Sequence, residues 1–221
     1  MTVGFLHTAS LHVATFDRLL DEMGGDAARV HVVDEALLER CRVEPTHAVR
    51  PAVQRRVQEL VAQGVDVVCC TCSTIGGLAE AVRSPVPVIR VDRPMMRRAV
   101  ELGGRIVVLA AAESTLVPTH FLLQEEANRI GVPLTAEMVT VAGAWDAFLR
   151  GDRESYLSEV AAAARHAARR ADVLVLAQAS MADALATIGN VGVAVLSSPR
   201  LAVEWLSATR RSSEETAPPL P

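Results

Sequence analysis

The sequence predicts an α/β protein made of two similar units, each built on a four-stranded parallel sheet, and three observations carry that prediction. Short apolar runs alternate with longer stretches of helical period along the chain. Most of these runs are apolar on both faces and bounded by Gly, Pro or Asp, as buried parallel strands are. Finally, stretches of the first half recur in the second.

In order, the expected strands of the first unit are Val3–Leu6, Val30–Val33, Val67–Thr71 and Val86–Val91. Those of the second are Ile106–Leu109, Leu134–Val139, Val173–Ala177 and Val191–Leu196. Amphipathic helices are expected over Ala48–Gln63, Leu116–Ile130 and Tyr156–Arg170, with a shorter one at Leu78–Val82. The tail Ser212–Pro221 is polar, Pro-rich and aperiodic, so disorder is expected there. The recurrence aligns Asp66-Val-Val-Cys-Cys-Thr-Cys72-Ser-Thr-Ile75 with Asp172-Val-Leu-Val-Leu-Ala-Gln178-Ala-Ser-Met181. It also aligns Val86–Pro94 with Val191–Pro199, and Val3–Leu6 more loosely with Ile106–Leu109. Cys72 and Gln178 are thereby placed as equivalents, across a cleft between the units.

Composition removes several classes of function. All 22 basic residues among the 221 are arginine, so neither a Schiff-base lysine nor a P-loop lysine exists. A formal charge of −4 with 3% aromatic residues gives no electrostatic or stacking basis for binding nucleic acid. No apolar run reaches the 18 or so residues of a membrane span, and Met1–His7 lacks the charged start of a signal peptide. Four cysteines, three of them crowded at Cys69, Cys70 and Cys72, do not form a disulfide framework, and a reduced cytoplasmic protein is expected. Scattered histidines and an isolated Cys41 supply no zinc-ligand set, so no metal is expected. No G-x-G-x-x-G follows a strand and no G-x-S-x-G elbow is present.

Ligands of open α/β folds sit beyond the carboxyl ends of the strands, so each strand end is a source of site residues. The third strand runs into Cys72-Ser73-Thr74-Ile75-Gly76-Gly77. A thiol at such a strand-to-helix turn lies at the positive end of a helix, where a thiolate is favoured. The free amides there, with the Ser73 and Thr74 hydroxyls, form a carboxylate cradle. The plain alternative is that Cys72 is one more small buried residue, as Cys69 and Cys70 are expected to be. Other strand ends offer His7 and Thr8, Asp34, and Glu113, Ser114 and Thr115, each of which can equally be a helix cap.

Together these residues resemble the aspartate/glutamate racemase superfamily, which includes hydantoin racemases, maleate isomerase and arylmalonate decarboxylase. Asp66–Thr74 is similar to the first cysteine motif of that family; Gly4–Thr8 and Val107–Thr115 are similar to its first and fifth strand ends. The resemblance implies two flavodoxin-like domains related by pseudo-twofold symmetry, no cofactor, a small carboxylate or amino-acid-like substrate, and a possible homodimer. It implies a first domain of residues 1–97 plus about 199–211, onto which the last helix returns, and a second of 98–198, followed by the tail 212–221. It also implies two cysteines flanking the substrate, one removing the α-proton and the other returning a proton to the opposite face. The second would lie in the segment of Gln178, Ala179 and Ser180, but position 178 holds an amide, which is no acid or base near neutral pH.

Single-thiol chemistry therefore stays open in several forms. Cys72 can protonate one face of an enediolate, or add to an activated carbon as a nucleophile. The Gln178 amide can bind a carboxylate or stabilise developing charge. A second base is sought in His7, Asp34 or Glu113. The alternatives are a one-cysteine decarboxylase of the same superfamily and a non-catalytic small-carboxylate-binding protein that kept the cleft.

Overall fold

The computed structural model describes residues 1–23 and 27–215. The first sheet comprises β1 (Val3–His7), β2 (Arg29–Val33), β3 (Val67–Cys70) and β4 (Val88–Arg90), in the order β2-β1-β3-β4. The second comprises β5 (Arg105–Ala110), β6 (Thr135–Thr140), β7 (Val173–Leu176) and β8 (Ala194–Ser197), in the order β6-β5-β7-β8. Every strand pair in both sheets is parallel. All eight expected strands form, and the shared strand order gives the two sheets one topology.

Between the strands run α1 (Leu11–Glu22), α2 (Ala36–Val43), α3 (Thr46–Ala62), α4 (Ser73–Glu80) and α5 (Arg93–Leu102). The second half adds α6 (Leu116–Ile130), α7 (Ala144–Leu149), α8 (Arg153–Ala168), α9 (Ala184–Ile188) and α10 (Ser198–Glu215). Strand alternation splits each sheet's side chains between two apolar layers. Val67 and Cys69 of β3 pack with Phe16 of α1 and Leu206 of α10, whereas Val68 and Cys70 pack with Val53 of α3 and Ile75 of α4. In β5, Ile106 and Val108 face Leu122 of α6, and Val107 and Leu109 face Val160 of α8. Burying each such Leu, Ile or Phe contributes about 1.5–3 kcal/mol relative to exposure.

The duplication extends to hydrogen bonds. Asp66 Oδ2 accepts the Thr2 amide at 2.6 Å, just before β1, and Asp172 Oδ2 accepts the Arg105 amide at 2.6 Å, at the start of β5. The Asp66 and Asp172 amides in turn donate to the carbonyls of Thr2 and Arg105, both at 2.8 Å. Gly104 has φ +76°, and a Cβ there would lie 2.6 Å from Asp172 Oδ2, so glycine alone admits this clasp.

Several boundaries differ from expectation, among them β8, which begins at Ala194 and not at Val191, and α4, which begins at Ser73 and not at Leu78; three others carry a consequence. β4 is shorter than Val86–Val91 because Pro85 and Pro87 have no amide for the ladder; Pro87 supplies only its carbonyl, to the Val68 amide at 2.9 Å. The expected boundary at 97/98 falls inside α5, whose buried Met95, Met96, Ala99 and Val100 all join the second sheet's core. Residues 212–215, expected in the disordered tail, continue helix α10, and residues 216–221 lie outside the described part. Ala202, Val203 and Leu206 of α10 pack against Phe5 and Phe16, returning the chain to the first sheet.

One buried ion pair connects this scaffold to the turn after β3. Arg90 and Asp92, 4% and 0% exposed, form a bidentate pair at 2.7 and 2.8 Å. The same guanidinium donates to the Ser73 carbonyl at 3.3 Å, and a Cβ on Gly76 would come within 2.9 Å of Arg90 Cβ. Arg90 thus holds the first turn of α4 against the sheet. Asp92→Ala, which strands the buried guanidinium, is expected to lower unfolding stability by about 3–5 kcal/mol, read from urea denaturation.

Candidate active site

The carboxyl ends of the two sheets face each other, and polar contacts cross between them. The Ser73 hydroxyl, at the start of α4, donates to the Ala177 carbonyl beyond β7 at 2.8 Å, and Thr74 Oγ1 lies 3.3 Å from Thr115 Oγ1. Cys72 and Gln178 each occupy the extended residue before a helical turn, with φ −113° in both. Each also follows its sheet's equivalent strand by the same offset, so the sequence alignment of the two positions is reproduced in space.

Between these ends lies a cavity of about 30 Å³, room for one or two waters. Thr8, Cys72, Ser73, Thr74, Thr115, Gln178, Ala179 and Ser180 all line it, joining most of the residues singled out from the sequence. Cys72 is 8% exposed, and no side chain caps the α4 amides beside it. The other thiols differ from it in position. Burial pushes Cys69 and Cys70 up, and burial likewise raises Cys41 to about 11, so these three stay protonated at neutral pH.

Gln178 is held rather than free. Its Oε1 accepts the amides of Ala111 and Ala112 at 2.6 and 3.0 Å, and because backbone N–H groups only donate, the amide orientation is settled. The side chain clasps the turn after β5 and leaves its NH₂ as a donor. Ser180 is similarly engaged, its hydroxyl 2.7 Å from Tyr156 Oη.

Four expected site residues lie outside the cavity. His7 shares a strand face with Phe5, so its ring stacks there, 5.8 Å between centroids, instead of leaving the strand end. Both its nitrogens are occupied, Nδ1 2.8 Å from Thr71 Oγ1 and Nε2 2.9 Å from His31 Nδ1. Asp34 accepts Arg56 Nε at 2.8 Å. Glu113 and Ser114 line a separate open depression with Cys41 and Arg42, because the turn after β5 carries them past the cavity.

Other lining residues carried no signal in sequence. His12 enters from the first turn of α1, and Trp145 and Phe148 from α7, stacked at 5.1 Å between ring centroids. The Arg42 guanidinium from α2 lies 5.4 Å from the Trp145 ring centroid, so this wall joins both halves. His12 Nδ1 and Trp145 Nε1 are buried without a hydrogen-bond partner. Among the described residues, no group of three or more His, Cys, Asp or Glu is placed to hold a metal ion, and no helix is long and apolar enough to cross a membrane.

The sequence model of the Asp/Glu/Hydantoin racemase family matches residues 13–206. No curated protein sequence matches the chain significantly. Among solved structures, the aspartate racemase of Picrophilus torridus is similar with a TM-score of 0.70 at 13% identity, over 95% of this chain and 94% of that one. The glutamate racemase of Thermus thermophilus, in complex with β-chloro-D-alanine, has a TM-score of 0.67 at 20% identity, over 99% and 83%. A glycine-to-cysteine variant of arylmalonate decarboxylase has a TM-score of 0.60 at 22% identity, over 100% and 97%. These likenesses show a shared fold.

Two outcomes follow from the site's polar groups. Gln178→Ala, which leaves two buried amides unpaired, is expected to cost about 1–3 kcal/mol in urea unfolding, with Gln178→Glu retaining most of the stability. Burial, aided by His12 and His31, lowers His7 from 6.5 to about 3, and burial, opposed by Asp183, lowers His12 from 6.5 to about 4. The unfolded chain therefore binds these protons first, and their contribution, complete above pH 6.5, is lost as pH falls towards 4 and then 3. His12→Gln should flatten the decline of urea midpoints between pH 6.5 and 4.5.

Proposed function

Because the chain belongs to the Asp/Glu/hydantoin racemase family, we propose that it is a cofactor-independent racemase- or isomerase-type enzyme acting at a carbon next to a carboxylate of a small amino acid or related acid. Cys72 is the thiol that exchanges a proton with that carbon or adds to it. The observation that carries this reading is the position of Cys72, on the wall of a cavity enclosed by both halves, at the uncapped start of α4.

Removing a proton next to a carboxylate places charge on the carboxylate oxygens as the C–H electron pair moves toward them. The start of α4 supports this step because its first-turn amides have no side-chain cap to compete for the oxygens. The Gln178 NH₂, oriented by the clasp on Ala111 and Ala112, adds a fixed donor from the opposite half. Thr74 and Thr115 supply hydroxyls from both halves at the cavity wall. The stacked rings of Trp145 and Phe148 present apolar surface to the cavity, and exclusion of water there strengthens each of these contacts.

The position of Gln178 favours one further reading, a lyase that protonates a single face of an enediolate left by loss of carbon dioxide. Among the described residues one thiol, Cys72, lines the cavity, and one proton donor suffices for that reaction.

Solvent deuterium exchange, followed by NMR over aspartate, glutamate, hydantoins and arylmalonates, tests both readings. Exchange at the α-carbon is expected with at least one of the first three classes and is expected to fall about 10²–10⁴-fold in Cys72→Ser. Deuterium incorporation during loss of carbon dioxide from a malonate, without exchange elsewhere, selects the lyase. Neither activity with any member, alongside measurable carboxylate binding, would identify a binding protein instead.

A further inference from the structure

Reversible inversion at carbon requires two proton-transfer groups, one for each face, and Gln178 cannot be the second. The residues first considered for that role are absent from the cavity: His7 is locked against Thr71 and His31, Asp34 is paired with Arg56, and Glu113 opens onto the outer depression. Among the described residues no Asp, Glu or Arg lines the cavity. Among the described residues, the titratable side chains that do are Cys72 and His12.

His12 carries the marks of a group awaiting a ligand. It is 7% exposed, and its Nδ1 is buried with no hydrogen-bond partner. A buried polar atom left unpaired is unfavourable, and that cost is relieved when a ligand or proton arrives. Nor is His12 stranded among first-half residues. Asp183, the N-cap of α9 just beyond Gln178–Ser180, is close enough to act on it electrostatically. His12 thus lines the cavity within electrostatic range of the second half, the half in which Gln178 replaces a titratable residue.

We propose that His12 is the second acid–base residue of the site, working against Cys72 across the substrate carbon. This deepens the isomerase reading above and rests on it. In one direction the neutral imidazole takes the α-proton, and the C–H electron pair moves into the carboxylate as an enediolate. The Cys72 thiol then gives its proton to the opposite face, the new C–H bond forms, and imidazolium and thiolate remain. In the other direction the thiolate abstracts and the imidazolium donates. Proton exchange with solvent between turnovers interconverts the two states of the pair, so no oxidant, reductant or co-reactant is consumed. Burial keeps the resting imidazole neutral at pH 7, the form that accepts a proton. Trp145 Nε1, also buried without a partner on the same cavity, is a donor for the substrate's carboxylate or carbonyl oxygen.

The test compares wild type, Cys72→Ser, His12→Gln and His12→Ala in deuterated water, with each enantiomer of aspartate, glutamate and a hydantoin supplied separately. Circular dichroism and thermal unfolding establish that each variant is folded. For a substrate that wild type racemises, His12→Gln is expected to lose inversion by about 10²–10⁴-fold. It should nevertheless keep wash-out of the α-proton from the one enantiomer that presents its proton to Cys72. Cys72→Ser should show the converse preference, and added imidazole should restore inversion to His12→Ala, which a purely structural role for the ring would not allow. Inversion at the wild-type rate in His12→Gln, or equal loss of wash-out from both enantiomers in that folded variant, overturns the role of His12 and leaves the isomerase reading standing. Absence of exchange by wild type with every substrate overturns the isomerase reading, and the role of His12 with it.

Discussion

The arrangement of the site depends on two sheets meeting strand end to strand end, and the Ser73 hydroxyl bound to the Ala177 carbonyl marks where they do. Each partner is adjacent in sequence to a key position: Ser73 follows Cys72, and Ala177 precedes Gln178. A single buried hydrogen bond is worth only about 0.5–1.5 kcal/mol, so it does not hold the halves together by strength. Its effect is geometric. It sets how closely the two turns approach and which side chains line the space between them. Behind it, Arg90 grips the Ser73 carbonyl while its charge is met by Asp92, and so the turn bearing Cys72 is anchored to the strand beside it.

The two halves retain the scaffold contacts of a duplication and differ where chemistry is expected. Asp66 and Asp172 make the same clasp at the start of their neighbouring central strand, to Thr2 just before β1 and to Arg105 at the first position of β5. Cys72 and Gln178 have the same backbone position and unlike side chains. Gln178 spends its carbonyl on the amides of Ala111 and Ala112, tying its own turn to the turn after β5. The first half supplies both titratable groups of the cavity, Cys72 from the end of β3 and His12 from α1. The two titratable groups are therefore unlike and come from one half, whereas the duplicated backbone alone would suggest a symmetric pair.

Burial sorts the remaining thiols and imidazoles by role. Cys69 and Cys70 alternate between the two apolar layers of β3, and desolvation keeps them as uncharged packing. His7 has partners on both nitrogens and behaves as a core residue, while His12, equally enclosed, has an orphaned nitrogen beside a cavity. Their difference lies in partners, since both are desolvated.

The strands, the duplication and the equivalence of Cys72 with Gln178 were legible in the sequence, because strand periodicity, flanking Asp and turn residues act over a few neighbours. Most of the strand-end cavity residues, including Thr8, Thr74 and Thr115, were legible for the same reason: a parallel strand always delivers its end to one edge of the sheet. His7 was misplaced because one step of strand alternation decides whether a side chain leaves the strand end or enters the layer beside Phe5. His12, Trp145 and Phe148 were invisible because they reach the cavity from helices, where local pattern gives no account of a partner across the molecule. The clasp of Gln178 on Ala111 and Ala112, and the arrival of His12 and Cys72 at one cavity, join residues about sixty or more positions apart, some of them brought near only by helix docking. Such contacts depend on how the sheets and helices pack against one another, and only the tertiary structure decides them.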